Sequence, residues 1–246
     1  MSAPARVPDR LDRVLDVATD LLVRWGYQRV TIEDVARHAG IGKGTVYLHF
    51  RTKDALFLTV LLRAHHGVVS RLVERIRADP AEALPSRMLR SLYLELAGDP
   101  VVRPLYLGDS AVLGRLAHES ADTLGELAQR REEAGRAWFG LLRDAGLLRT
   151  DLDVSEQLYL LGAVTSGFYF VDSLPVPTAP GDPAGRAAVL EHALAASLEV
   201  PGAPAPGAAT AEAVADLFAS LIEHIDDEWQ RRVRRSGRAA ERRSAR

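Results

Sequence analysis

The chain has 246 residues, 47% of them hydrophobic, which is enough apolar material to bury a core and too much for a chain disordered throughout. It contains no cysteine, so disulfides, thiol catalysis and cysteine-based metal sites are excluded, and nothing argues for an oxidising compartment. The net charge of −2 conceals an uneven distribution: residues 1–63 carry ten basic against seven acidic side chains, residues 64–228 thirteen against twenty-five, and Trp229 to Arg246 eight against one.

The middle of the chain is therefore a poor match for nucleic acid, whereas the N-terminal segment can face phosphates. Only two of the thirty-one basic residues are lysines, Lys43 and Lys53. The opening Met-Ser-Ala-Pro-Ala-Arg-Val-Pro has no long apolar run, and no segment is expected to reach the ~20 apolar residues of a membrane span, so a cytoplasmic protein without a membrane partner is expected.

A first helix is expected from an Asp9 cap, with Leu11, Val14, Leu15, Ala18, Leu21, Leu22 and Trp25 on a core-facing stripe. Thr31 then caps a short helix, with Asp34 in the place of the capping-box acid and Ile32, Val35, Ala36 and Ala39 on one face. Gly40 tolerates the left-handed backbone of a C-cap, Ile41 plugs the turn, and Gly42 opens a second short helix through Lys43, Thr45, Val46, Tyr47, His49 and Phe50. Two short helices joined by such a turn form a helix-turn-helix, whose second helix enters the DNA major groove.

Thr52 caps a long helix running to about Ala78, with Leu56, Val60, Leu61, His65, Val68, Val69, Leu72 and Ile76 on its apolar stripe. It links head to body and is the natural lever for a ligand signal. Beyond Pro80 the pattern is helical throughout, with helices expected at about 86–97, 100–108, 110–120, 121–145 and 154–174. A further helix is expected from Asp182 (cap) and Pro183 (first turn) to Leu198, and a last one from about Thr210 to Arg235 with Val214, Leu217, Phe218, Leu221, Ile222, Ile225 and Trp229 on one stripe. The arginine-rich 236–246 is expected to be a disordered basic tail.

The head resembles the helix-turn-helix of the tetracycline-repressor-like (TetR) family of bacterial transcription regulators, over about Arg10 to Leu62. The resemblance rests on Trp25-Gly26-Tyr27, on Thr31-Ile32-Glu33-Asp34-Val35-Ala36, and on Gly42-Lys43-Gly44-Thr45-Val46-Tyr47-Leu48-His49-Phe50 followed by Thr52-Lys53-Asp54-Ala55-Leu56. Two positions depart from the family's habit: Gly42 stands where serine often caps the recognition helix, and Leu48 where a polar or aromatic residue is frequent.

The resemblance implies an all-α protein: a three-helix head over 1–51, then a larger helical effector-binding and dimerisation domain over 52–235. The Pro-rich 175–206 looks like an insertion relative to the family's usual body, either a partly disordered linker or a flap over a pocket mouth. For DNA the resemblance points to Thr31 and Lys53 at phosphates and to Lys43, Gly44, Thr45, Tyr47 and His49 on the recognition helix. Val46 and Phe50 are assigned to the core.

A homodimer on a palindromic double-stranded operator is expected, because one short helix reads too few base pairs. In the helix over 154–174, Gly162, Ala163, Ser166 and Gly167 interrupt the large Tyr159, Leu160, Phe168 and Phe170 and would admit a partner helix, with the last helix's stripe completing the interface. Aromatic candidates for a small, largely apolar effector are Tyr93, Tyr106, Trp138, Phe139, Tyr159 and Phe168, with Arg103 and Asp109 as nearby polar groups. No cofactor or metal is expected, the histidines having no ligand spacing, and no catalytic set is recognisable.

Two other readings remain open at this level. Gly40-Ile41-Gly42-Lys43-Gly44-Thr45 looks like the end of a nucleotide kinase's phosphate loop, but Arg37 stands where that loop needs a glycine and the lead-in has helical rather than strand periodicity. A dimeric ligand-binding protein without specific DNA binding is the other.

Overall fold

The computed structural model describes residues 10–97, 110–172, 174 and 180–224, and for 110–124 the helical backbone alone. Helix α1 (Arg10–Arg29) bends at Gly26, whose φ of 74° is open to glycine and strained for any other residue. The bend turns Trp25 outward against His38, ring centroids 5.4 Å apart, instead of onto the core stripe expected for it, and directs Tyr27 inward against Phe57. Helices α2 (Ile32–Ala39) and α3 (Lys43–His49) follow, then α4 (Lys53–Ala78). Val14, Leu15, Ala18, Val35, Ala36, Val46, Phe50, Leu56, Phe57 and Leu61 from these four helices close the head's core.

Helix α4 belongs to two cores. Its first turns pack in the head, whereas Val68, Leu72, Val73 and Ile76 pack in the body. It is long and apolar enough to cross a membrane by length and composition, which corrects the expectation that no segment approaches a span; 67% of its most apolar window is buried inside the protein.

A 3₁₀ turn (Pro80–Ala83) leads to α5 (Pro85–Ala97), and the body continues with α6 (Ser110–Asp144), α7 (Val154–Val171), α8 (Pro183–Leu198) and a last helix, α9, described over 208–224. Where two helices meeting near residue 120 were expected, α6 runs unbroken for 35 residues. The described residues contain no strand, only an isolated antiparallel bridge between Leu148 and Glu199. The expected helix over 100–108, the Asp9 cap, Ile225, Trp229 and the 236–246 tail lie outside the described residues.

Within the Pro-rich 175–206, α8 is neither a linker nor a flap. Asp182 caps it, with Pro183 in the first turn, and Ala187, Leu190, Leu194 and Leu198 are fully buried against α5 and α7. Three polar ties fix it. Glu199 accepts a hydrogen bond from the Ser86 amide at the start of α5 (2.9 Å), and Arg149 N–H donates to the Leu198 carbonyl (2.9 Å). Arg186 reaches both Asp172 (3.1 Å) and the Tyr93 hydroxyl (3.1 Å), while Tyr93 donates to Asp172. Burial first, then that bond to Asp172, pushes the Tyr93 hydroxyl's pKa up.

Candidate nucleic-acid interface and effector cavity

Local chemistry builds the helix-turn-helix. Thr31 and Asp34 form a reciprocal capping box: the Asp34 amide donates to Thr31 Oγ1 (3.1 Å), and the Thr31 amide donates to Asp34 Oδ2 (3.1 Å). The hydroxyl of Thr31 also donates to Asp34 (2.6 Å), and this bond is the chief reason the Asp34 carboxyl is held below its ordinary range. Gly40, at φ 68°, ends α2 in the left-handed region, with its amide directed at the Ala36 and Arg37 carbonyls. Gly42 starts α3 without a side-chain cap. The lead-in to Gly40–Thr45 is thus a helix, not the buried strand a phosphate loop requires.

This frame sorts the α3 side chains. Val46 and Phe50 are buried in the head, as assigned. Lys43, Gly44, Tyr47 and Leu48 form one exposed face, and a Cβ built on Gly44 would meet nothing within 4 Å. Thr45 and His49 flank that face, half-buried. Lys43 Nζ pairs with Glu33 of α2 and lies 5.5 Å from the centroid of the Tyr47 ring. Lys53 Nζ sits 4.4 Å from the Tyr27 ring centroid and donates to the Gln28 carbonyl (3.4 Å), so it is tied to the end of α1. Thr31 is exposed, but its hydroxyl serves the cap.

In the body, α4, α5, α6, α7 and α9 enclose a cavity of about 190 Å³ lined by His65, Val68, Val69, Leu72, Met88, Leu89, Leu92, Arg131, Gly135, Trp138, Leu158, Leu161, Phe218 and Leu221. Among the described residues, Trp138 is the one expected effector residue that lines it. Tyr93 is fully buried elsewhere, stacked on Tyr169 at 5.2 Å, and Phe168 packs on the body core. Tyr159 is 79% exposed on the outer face of α7. Arg103 and Tyr106 lie outside the described residues. No group of His, Asp or Glu among the described residues could hold a metal ion.

His65 is the cavity's unusual member. Burial, with smaller contributions from the charges of Arg131 and His66, pushes its pKa down to about 3. The unfolded imidazole, at about 6.5, binds a proton that the folded one refuses between these values, so stability is complete above pH 6.5 and falls as pH drops toward 3. The His65 contribution lost between pH 7 and pH 5 is about 2 kcal/mol. Urea unfolding at the two pH values should show a loss of that order, and His65→Leu should remove it; an equal loss in the variant would assign it to other groups.

Residues 14–60 match the family model of bacterial regulatory proteins, tetR family. The head is a TetR-type helix-turn-helix domain. Among curated TetR-type regulators, AlkX of Mycobacterium tuberculosis is 32% identical over 99 residues, 39% of this chain and 47% of AlkX, so the match reaches only about half of that protein. The repressor KstR2 of Rhodococcus jostii is 28% identical over 153 residues, 59% of this chain and 71% of KstR2. Among solved structures, SmeT, repressor of the Stenotrophomonas maltophilia multidrug efflux pump SmeDEF, superposes with a TM-score of 0.57 at 22% identity, covering 82% of this chain and 95% of SmeT. That likeness is one of fold; SmeT has also been solved in complex with triclosan.

Around this TetR-type head, reading the sequence for function passed over three residues. Glu33 was visible only as part of the motif, and its pairing with Lys43 depends on how α2 crosses α3. His65 was placed on the α4 apolar stripe, and a histidine among leucines and valines was itself the available signal. Arg131 had none, because seven other basic or acidic residues of α6 between 126 and 144 surround it in sequence.

Proposed function

We propose that this protein is a homodimeric, ligand-responsive transcription regulator of the cytoplasm, a repressor that leaves a palindromic operator when a small, largely apolar effector enters the body cavity. The observation that carries the reading is the exposed α3 face of Lys43, Gly44, Tyr47 and Leu48, set on a capped helix-turn-helix. Lys43 and Lys53 supply charge for phosphates, Thr31 and Thr52 mark helix N-termini where phosphate is favoured, and Gly44 leaves room for close approach. Tyr47, Thr45 and His49 supply hydrogen bonds, and Leu48 can contact a thymine methyl. The head is taken as 1–51 and the effector and dimer domain as 52–235.

Dimerisation is assigned to the outer face of α7, where Tyr159, Gly162, Ala163, Ser166, Gly167, Phe170, Val171 and Leu174 form an exposed stripe at helical spacing. Leu160 and Phe168, first grouped with that surface, turn inward to the body core. On α9, Val214 and Leu221 are buried within the protomer and Phe218 lines the cavity, so much of that stripe is intramolecular. Effector release requires that the ligand bind the DNA-incompetent arrangement of the two heads better than the competent one.

Binding to the duplex flanking the protein's own gene, followed by anisotropy across a salt series, tests the reading. Specific binding should weaken steeply with salt, Tyr47→Ala should weaken it about tenfold, and Lys43→Ala should lower the salt slope by about one per half-site. Indifference to all duplex DNA at low salt would leave a dimeric ligand-binding protein instead. The pairing of Glu33 with Lys43 adds a sharper test. A phosphate must compete with Glu33 for Lys43, so Glu33→Gln should raise affinity for random duplex up to about fivefold, the range of a surface ion pair. Unchanged or weaker binding would show that Glu33 does not restrain Lys43.

A further inference from the structure

We propose that Arg29 and Arg51 form a phosphate-binding rim beside the recognition helix, one that holds duplex DNA without reading its sequence. The proposal rests on the reading of α3 as the DNA-contact helix and names further residues of the same interface. Neither arginine belongs to α3.

The two connections that carry them are brought together by the fold. Val30, in the link from α1 to α2, is fully buried in the head's core, and Arg29 and Thr31 on either side of it are exposed. Phe50, the extended C-cap of α3, is buried in the same core, and Arg51 after it is exposed. Lys53 Nζ donates to the Gln28 carbonyl; Gln28 immediately precedes Arg29, and Lys53 follows Arg51 by two residues. The pair thus stands where the end of α1 meets the start of α4, beside the C-terminal end of α3.

Most other cations of the head already have partners. Arg24 pairs with Asp20, Arg37 with Asp34, Lys43 with Glu33 and Arg63 with Asp16. Lys53 is tied to the Tyr27 ring and the Gln28 carbonyl. Each of these must give up a contact before it meets a phosphate. Among the described residues Arg29 and Arg51 have no hydrogen bond or ion pair, so a phosphate displaces only water and counterions from them. A guanidinium also presents parallel N–H groups that match two phosphate oxygens.

Arg13 is the control within the molecule. It too is exposed, with no hydrogen bond or ion pair among the described residues, but it lies at the other end of the head. Gln28 meets Lys53, Tyr27 meets Phe57 and Asp16 meets Arg63, so α1 runs antiparallel to α4. From Lys53 to Arg63 α4 rises about 15 Å, and Arg13 is nearly a turn beyond Asp16, toward the body.

Anisotropy across a salt series tests the rim, with the full chain, a duplex of random sequence and the duplex flanking the protein's own gene. Arg29→Ala and Arg51→Ala should each weaken binding to both duplexes by the same factor, about tenfold, and lower the salt slope by about one per protomer, with helicity unchanged. Arg29→Lys and Arg51→Lys, which keep the charge, should keep the slope, and Arg13→Ala should change neither slope nor affinity. Wild-type binding with a slope that neither alanine variant lowers would overturn the rim and leave α3 as the DNA-contact helix. An equal fall in Arg13→Ala would overturn it too, because net charge rather than position would then be acting. So would a loss confined to one of the two duplexes, which would mean base reading. If the wild type ignores both duplexes at low salt, the rim falls together with the DNA-binding reading.

Discussion

Replacing Phe170 by aspartate should convert the proposed dimer to monomers and abolish operator binding. Phe170 is 66% exposed in the protomer and Tyr159, eleven residues earlier on the same face of α7, is 79% exposed. Two large aromatics flanking Gly162, Ala163, Ser166 and Gly167 form an apolar surface that a lone protomer would leave in water. Among the described residues a Cβ on either glycine would meet nothing within 4 Å, which leaves room for a partner helix. In a two-fold interface the substitution buries an unpaired carboxylate on each side, at a cost of roughly 3–5 kcal/mol, on the order of a thousandfold in dimer affinity. Sedimentation at micromolar protein should show monomers with undiminished helicity, because the side chain contributes little to the protomer's own core. A stable dimer in the variant would place the interface elsewhere.

The second large effect is expected at Leu190. Its side chain is fully buried where α8 meets α5, and truncation to alanine should cost about 3 kcal/mol, the middle of the range for a core leucine. Val189, one residue earlier, points outward at 49% exposure, and Val189→Ala should change stability by under about 0.5 kcal/mol. The pair makes a controlled comparison, since both remove aliphatic bulk from one helix. Urea midpoints at pH 7 would separate them; equal small shifts would mean that α8 is a detachable segment rather than part of the core.

That contrast also marks where the sequence was and was not legible. The head's local rules could be read directly: a capping box needs only Thr31 and Asp34, a left-handed C-cap only Gly40, and the α3 core residues only the helical period. Each depends on neighbours within a few residues. The body's arrangement depends on which faces meet. Seven prolines between 175 and 206 suggested a loose insertion, yet Pro183 merely starts α8, and the helix is held by Glu199, Arg149 and Arg186, whose partners lie far away in sequence. Aromatic residues on body helices were poor guides to the cavity for the same reason. Tyr93 was claimed by Asp172 and Arg186, Tyr159 faces outward, and aliphatic side chains from α4, α5, α7 and α9 line most of the space.

Helix α4 has one more consequence, which concerns cooperativity. Leu56, Phe57 and Leu61 are part of the head's core, and Val68, Leu72 and Ile76 part of the body's, on a single uninterrupted helix. Leu58 and Leu62 meet Leu127 of α6 between the two. The head cannot lose α4 without exposing the face it presents to the body, so opening of either core weakens the other. Free energy gained by a ligand in the body is thereby shared with amides in a head it never touches. A helix shared by both cores is expected to make the chain unfold as one unit.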